Sequence, residues 1–311
     1  MNLIKKLAIK LGKSEGAVYK FLKGASRRYK VYSIPKRTSG HRVIAQPSKE
    51  LKFYQKNALE IFKFPIHDSA MAYRAGISIK ENAEKHSKNS YLLKMDLENF
   101  FNSIGESVFW REWAEFFDMP DDHDKSYINQ LFFWCPSKLH LGKLILSVGA
   151  PSSPVISNFV MHRFDAAVEK ECKELGIHYT RYADDMTFSS NKNGVLFEIP
   201  TKVEEILHTL FSGLLRINKR KTVFSSKAHN RHITGVTINN SGYLSIGRKQ
   251  KRYIKHLVHN FSTGDLTKED FNYLTGYLSY AKHIDASFFF SLCKKHSHNL
   301  IEKIMRGEYG I

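Results

Sequence analysis

The sequence predicts an α+β fold, and three observations carry that prediction. Residues 177–190 read strand, turn, strand around two adjacent aspartates. Residues 91–97 form an apolar strand, and strand–helix alternation to about residue 240 gives way to helical periodicity alone after Gly247. A chain of 311 residues has room for two or three compact lobes. It has no internal repeat, low-complexity tract or Pro/Gly-rich linker, so those lobes should pack continuously.

From the N-terminus, residues 1–25 are helical, with Leu7, Leu11, Val18, Phe21 and Leu22 as the apolar positions. The stretch from Leu7 to Tyr19 superficially reads as a helix-turn-helix, but a plain helical hairpin packed on the next lobe is the simpler expectation. Alternation over 29–47 predicts a hairpin turning at Thr38-Ser39-Gly40, and 51–64 reads as helix. In 91–97, Leu93, Met95 and Leu97 share one strand face and Asp96 lies on the other, followed by Asn99-Phe100-Phe101. Residues 147–154 form a tight loop entering a helix, with Ser153 as N-cap and Pro154 as first helical residue. Ile156, Phe159, Val160, Phe164, Ala167 and Val168 then make one apolar face. Gly149, lacking a Cβ, would let the backbone approach a nucleotide closely. After Gly247, Ile254, Leu257 and Val258 line the core face of a cationic helix, and Phe288-Phe289-Phe290 reads as core.

The chemistry centres on Tyr182-Ala183-Asp184-Asp185. Two carboxylates side by side at a hairpin tip repel each other unless a cation neutralises them. Hard oxygen ligands suit Mg²⁺, which takes one or two protein carboxylates and completes its shell with water and phosphate. A Tyr-x-Asp-Asp tetrapeptide arises by chance in roughly a few per cent of chains this long, so a third carboxylate is needed. Asp96 is the candidate, walled by Phe101 five residues on. Three such carboxylates suit two Mg²⁺ ions roughly 3.5–4 Å apart, the arrangement for in-line displacement at phosphorus.

Charge points to a polyanionic partner: 48 Lys+Arg stand against 30 Asp+Glu, a formal net charge of +18. Residues 216–231 carry six basic side chains and no acid, and residues 247–260 carry five and no acid. Each run is either a nucleic-acid contact or a solvated cationic face. Membrane association is not expected, because no apolar run reaches the ~18 residues a span needs. The lysines at 5, 6 and 10 leave no signal-peptide core. Cys135, Cys172 and Cys293 lack metal-ligand spacing and fit inert thiols in a reducing cytosol.

The order of these motifs resembles the palm of reverse transcriptases: Asp96 in a strand, Gly149-Ala150-Pro151-Ser152-Ser153-Pro154, Tyr182-Ala183-Asp184-Asp185, then Leu214-Leu215-Arg216-Ile217-Asn218-Lys219-Arg220-Lys221-Thr222. Upstream, Arg42-Val43-Ile44-Ala45-Gln46-Pro47 and Ala72-Tyr73-Arg74-Ala75-Gly76-Ile77-Ser78-Ile79 look like the two fingers motifs of the bacterial enzymes. Asn82-Ala83-Glu84-Lys85-His86 matches the Asn-Ala-x-x-His signature of the retron type, and Ile233-Thr234-Gly235 stands where that type carries Val-Thr-Gly.

The resemblance implies a right-hand polymerase: an N-terminal helical segment (1–28), fingers (29–90), a palm of antiparallel sheet plus helices (91–246, with a fingers insertion around 105–145) and a mainly helical thumb (247–311). It implies that Asp96, Asp184, Asp185 and the Leu97 backbone carbonyl hold two Mg²⁺ ions. Phe101 would be the gate against a ribose 2′-hydroxyl, and Gly149 part of the dNTP site. Arg42 and Arg74 become fingers ligands of the triphosphate, or else surface ion pairs. Lys221 becomes a proton donor to the leaving pyrophosphate, or else a template-phosphate contact. Where the family has Gln before the motif glycine, this chain has Val148, which predicts altered nucleotide positioning. Asn82, His86, Thr234, Gly235, Arg248, Lys249, Lys251 and Arg252 are the implied RNA/DNA contacts. Tyr253 is either a base-stacking surface or half-buried packing.

Such enzymes copy part of a cognate structured noncoding RNA into a branched RNA–DNA (msDNA), primed from an RNA 2′-hydroxyl. The resemblance therefore implies dNTPs, that RNA and its DNA copy, a separate effector protein and cellular ribonuclease H as partners, in the bacterial cytoplasm and in antiphage defence. The alternatives are a group II intron-like or other bacterial reverse transcriptase, and a non-catalytic RNA/DNA-binding scaffold.

Overall fold

The computed structural model describes residues 2–36, 40–137 and 142–309, and within these the chain forms two compact units. The first comprises Met1–Tyr73, Lys94–Met186 and Phe197–Thr222; the second comprises Arg74–Leu93, Thr187–Leu196 and Val223–Ile311. In the second unit Ala83 and Leu92, far upstream in sequence, bury in the same apolar cluster as the C-terminal helices.

In the first unit, helices Leu3–Leu11 and Glu15–Leu22 are joined by Gly12 in the left-handed region and capped by Ser14, whose hydroxyl accepts from the Ala17 N–H. They form the plain helical hairpin: Leu3, Leu7, Val18 and Leu22 are fully buried, and the Leu3 N–H donates to Asp124 Oδ1 at 2.9 Å. Strands β1 (Tyr29–Pro35) and β2 (His41–Pro47) pair antiparallel from Tyr29↔Pro47 to Pro35↔His41. Of the expected turn, Thr38 and Ser39 lie outside the described residues. Helix Lys49–Phe62 is capped by Ser48 and ends with Lys63 at φ 47°. It delivers Phe62 to an aromatic core in which Phe64 and Phe159 rings lie 4.7 Å apart and Phe62 meets Trp113 edge-on at 5.3 Å. Offset and edge-on contacts are those the ring quadrupoles favour.

Strands β3 (Tyr91–Asp96), β4 (His178–Tyr182), β5 (Asp185–Ser190) and β6 (Val223–Ser226) form a sheet of order β4-β5-β3-β6. Leu93, Met95 and Leu97 are buried as the alternation predicted, but Leu92 and Asp96 are buried too. Helix Ser153–Val160 starts one residue before the expected position. Ser152 takes the cap position without a side-chain cap bond, and Pro154 lies in the first turn.

The second unit holds β7 (Arg231–Ile233), β8 (Val236–Ile238) and β9 (Leu244–Ser245) in an antiparallel sheet, with helices Ile79–Glu84, Arg248–Thr263, Lys268–Ile284, Ala286–His296 and His298–Met305. Ile254, Leu257 and Val258 bury with Ile233 and Leu278 in its core. Phe288 and Phe289 join them, but Phe290 is 60% exposed. Consecutive helical residues point about 100° apart, so three in a row cannot share one face. Thr234 (φ 46°) and Gly235 (φ 87°) make the two-residue turn between Ile233 and Val236, where positive φ at both positions matches the strand twist. All three cysteines are free and buried.

Candidate active site

The site grows from the end of β3, entirely within the first unit. The Leu97 N–H donates to the Asp184 carbonyl at 3.1 Å, and the Asn218 N–H donates to the Asp96 carbonyl at 2.7 Å. Asp96 is thereby held between the 183–184 turn and the 217–221 segment. Ala183 and Asp184 link β4 to β5, with Ala183 at φ 59°, while Asp185 is already the first residue of β5. The two acids therefore do not both occupy the turn, as the sequence suggested; only Asp184 does.

The charge of Asp96 acts on both Asp184 and Asp185, and that of Asp184 on Asp185. Burial raises the Asp184 carboxyl above its ordinary range, and the Asp96 charge adds to it, against Lys221 and Arg42. Asp185 is pushed from 3.8 to about 6, first by lost hydration and then by Asp184 and Asp96, against Lys221 and Lys94. Surface area alone makes Asp185 exposed, but protein surrounds the carboxylate closely enough to strip much of its water, and the charged neighbours do the rest. Lys221 Nζ lies 2.8 Å from Asp96 Oδ2, and that bond holds the ammonium above its usual value. Burial lowers Lys94, opposed by Asp185.

Among the described residues, no three His, Cys, Asp or Glu side chains converge as a ready-made metal cage. The donor chemistry still fits Mg²⁺: the ion needs only one or two carboxylates, and the mutual repulsion here is what a divalent cation relieves. Lys221 supplies part of that neutralisation in the chain by itself.

Asp185 sets a testable pH dependence. Between 3.8 and about 6 the folded chain keeps a proton that the unfolded chain releases. This contribution to stability is present at low pH and is lost as pH rises through the folded value. Metal-free Asp185→Asn escapes the loss. Its thermal midpoint should exceed that of the parent chain at neutral pH, with the gap narrowed at about pH 5 and closing only towards 3.8. Equal gaps at both pH values in chelator-treated samples would contradict the electrostatic reading.

Beside the carboxylates opens a cleft of about 420 Å³ lined by Lys52, Lys56, Tyr73, Phe101, Val148 and Gly149, among others. Phe101, on the short helix Phe100–Ser103, has its ring 6.5 Å from that of Tyr73. Gly149 (φ 124°) lies against β2: a Cβ there would stand 3.2 Å from Ala45 O and 3.3 Å from Ile44 Cγ2. Close approach of the strand and a positive φ thus both favour glycine here, beside the cleft that Gly149 also lines. The Ser152 and Ser153 hydroxyls are buried without a hydrogen-bond partner at this loop. Tyr73 and Lys94 escaped the sequence reading. Lys94 had a signal, lying two residues before Asp96 on the same strand face. Tyr73 had none beyond its place in the 72–79 segment.

The remaining site residues lie in the second unit, Arg74 among them. Asn82 and His86 were expected at nucleic acid but are fully buried. Asn82 Nδ2 donates to Thr234 Oγ1 at 3.4 Å, and His86 Nδ1 lies 2.7 Å from Ser189 Oγ. Their direct contact with RNA is corrected to an internal one, because sequence does not distinguish a buried polar anchor from a surface ligand. Two signatures some 150 residues apart are one contact. Thr234 and Gly235 are turn residues, and the Gly235 carbonyl accepts from the Tyr280 hydroxyl at 3.2 Å. On the helix Arg248–Thr263, Arg248, Lys249, Arg252 and Tyr253 are exposed. Lys251 is instead paired with buried Asp285 at 2.7 Å and lies over the Phe288 ring.

The comparisons with known proteins agree with this geometry. The reverse transcriptase (RNA-dependent DNA polymerase) family profile matches residues 34–238. The chain is 46% identical over 284 residues to the Retron Ec83 reverse transcriptase of Escherichia coli, covering 91% of each chain. It is 30% identical over 277 residues to the Retron Ec73 reverse transcriptase of the same species, covering 86% of each. Among solved structures, apo telomerase from Candida tropicalis aligns with TM-score 0.50 at 12% identity, over 92% of this chain and 62% of that one, a likeness of fold alone. No helix among the described residues is long and apolar enough to cross a membrane. With a right-hand polymerase fold and this degree of likeness over nearly the whole length, the chain belongs to the retron-type reverse transcriptases, RNA-directed DNA polymerases.

Proposed function

We propose that the chain copies part of a cognate structured noncoding RNA into a branched RNA–DNA, primed from an RNA 2′-hydroxyl, by two-metal nucleotidyl transfer. The observation that carries the chemistry is the joining of Asp96 to the Asp184 turn through the Leu97 N–H, with Lys221 at 2.8 Å from Asp96. Two bound Mg²⁺ ions would supply activation of the attacking hydroxyl and stabilisation of the leaving pyrophosphate. Asp96, Asp184, Asp185 and the Leu97 carbonyl would hold them. Arg42, whose charge reaches Asp184 and Tyr73, and Arg74 would bind the triphosphate. Phe101 would exclude a ribose 2′-hydroxyl, Gly149 would border the dNTP, and Lys221 would hold a proton for the leaving group. A separate effector, template trimming by cellular ribonuclease H, a place in the bacterial cytoplasm and a role in antiphage defence complete the reading.

The decisive experiment is to purify the chain from a host carrying its neighbouring noncoding locus and analyse the nucleic acid bound to it. DNA that separates from RNA only after a debranching enzyme cuts a 2′,5′ linkage supports the proposal. Linear complementary DNA alone would refute the branched product, and RNA without DNA in the presence of Mg²⁺ and dNTPs would refute the polymerase.

The RNA grip divides in a second test. Lys249→Ala should weaken RNA binding across sequences and reduce the salt slope by about 0.7–1 without moving the thermal midpoint. Lys251→Ala should instead cost about 1–3 kcal/mol of stability by leaving Asp285 buried and partly uncompensated. Equal behaviour of the two variants in filter binding and thermal melts would remove the distinction.

A further inference from the structure

Two non-glycine residues beside the site hold left-handed backbone conformations: Tyr73 at φ 60° and Ala183 at φ 59°. Each costs about 1 kcal/mol or more and persists only when the surroundings enforce it. The same pair of buried side chains grips both. Arg181 Nη1 donates to the carbonyl of Ala183 at 2.9 Å and to Asn158 Oδ1 at 3.2 Å. Asn158 Nδ2 donates to the carbonyl of Ala72, immediately before Tyr73, at 2.9 Å. One continuous chain of hydrogen bonds therefore runs from the residue preceding Asp184 to the residue preceding the Tyr73 wall of the cleft.

That chain is rigidly anchored. Arg181 forks Asp165 through Nε at 2.8 Å and Nη2 at 2.6 Å, and the Tyr179 hydroxyl donates to Asp165 Oδ1 at 2.7 Å. Arg181, Asp165 and Asn158 are all fully buried. The Arg181 backbone adds two further bonds, donating to Ser69 O at 2.8 Å and accepting from Met71 N–H at 2.7 Å. A planar guanidinium satisfies an acid, an amide and a carbonyl at once, which a lysine ammonium cannot reproduce in the same plane.

We infer that Arg181 and Asn158 are positioning residues that register the Asp184 turn against the Tyr73–Phe101 wall, and so set nucleotide affinity and sugar selectivity together. Neither touches substrate. The inference rests on the polymerase reading, and the tests below separate the two. If the parent chain incorporates no nucleotide on a primed RNA template, that reading fails. If the parent chain is active, the variants decide the inference.

Asn158→Ala removes both links while leaving the Arg181–Asp165 fork intact. It should raise the KM for dNTP roughly tenfold or more and lower the dNTP-over-rNTP preference, since small misplacements at a reacting centre carry large costs. A residue that only supports the core would lower kcat or the amount of active protein and leave KM and sugar preference unchanged; that result overturns the inference. Tyr73→Gly provides the check should alanine at 158 prevent folding. Tyr73 is 48% exposed, so its removal spares the core, and it should reproduce the shift in sugar preference. An unchanged preference in Tyr73→Gly overturns the inference as well. In the double variant, the two shifts should be less than additive, because both act on the same wall.

Discussion

Asp184→Asn is expected to reduce nucleotide incorporation by more than about a thousandfold while leaving the chain folded, because the metal interactions proposed for Asp184 would be worth several kcal/mol in the transition state. The amide is nearly isosteric, and the bond from the Leu97 N–H to the Asp184 main-chain carbonyl does not involve the side chain. The loss is one of charge. Removing an anion from a crowded trio also relieves the repulsion that raises Asp185, so the metal-free variant should melt no lower than the parent chain. A primer-extension assay together with a thermal melt reads both effects. Activity within tenfold of the parent chain would remove Asp184 from the metal site.

Phe101→Val is expected to change the ratio of ribonucleotide to deoxyribonucleotide incorporation, by about 10–200-fold, the range over which a pocket discriminates by small changes in apolar bulk. Phe101 is partly exposed in the cleft and contacts Tyr73 and Phe100. Trimming its ring opens space where the ribose 2′-hydroxyl would stand. Incorporation of dNTPs should fall far less than that of rNTPs rises. A competition assay with the two sugars on one template measures this. An unchanged ratio would assign Phe101 to packing and leave selectivity to Tyr73 alone.

The candidate acids were legible because their chemistry is local. An Asp-Asp pair after a β-rich run and an acid in an apolar strand announce themselves without any tertiary information. The thumb helix was equally readable, since Ile254, Leu257 and Val258 keep helical spacing against a cationic face. Asn82 and His86 were not. A polar residue in a motif looks the same whether it meets RNA or Thr234 and Ser189. The ion pair of Lys251 was hidden for the same reason: Asp285 lies 34 residues away and enters no local pattern.

By itself, the sequence determined the α+β class, the helical C-terminal region and the excess of basic charge, all of which follow from periodicity, residue chemistry and net charge. The tertiary structure alone decided that Gly149 lies against β2 and that Lys221 neutralises Asp96. It also decided that Arg181 and Asn158 lock two strained backbones together. These are contacts between segments distant in the chain, and their free energies depend on burial and angle, which one-dimensional spacing does not encode.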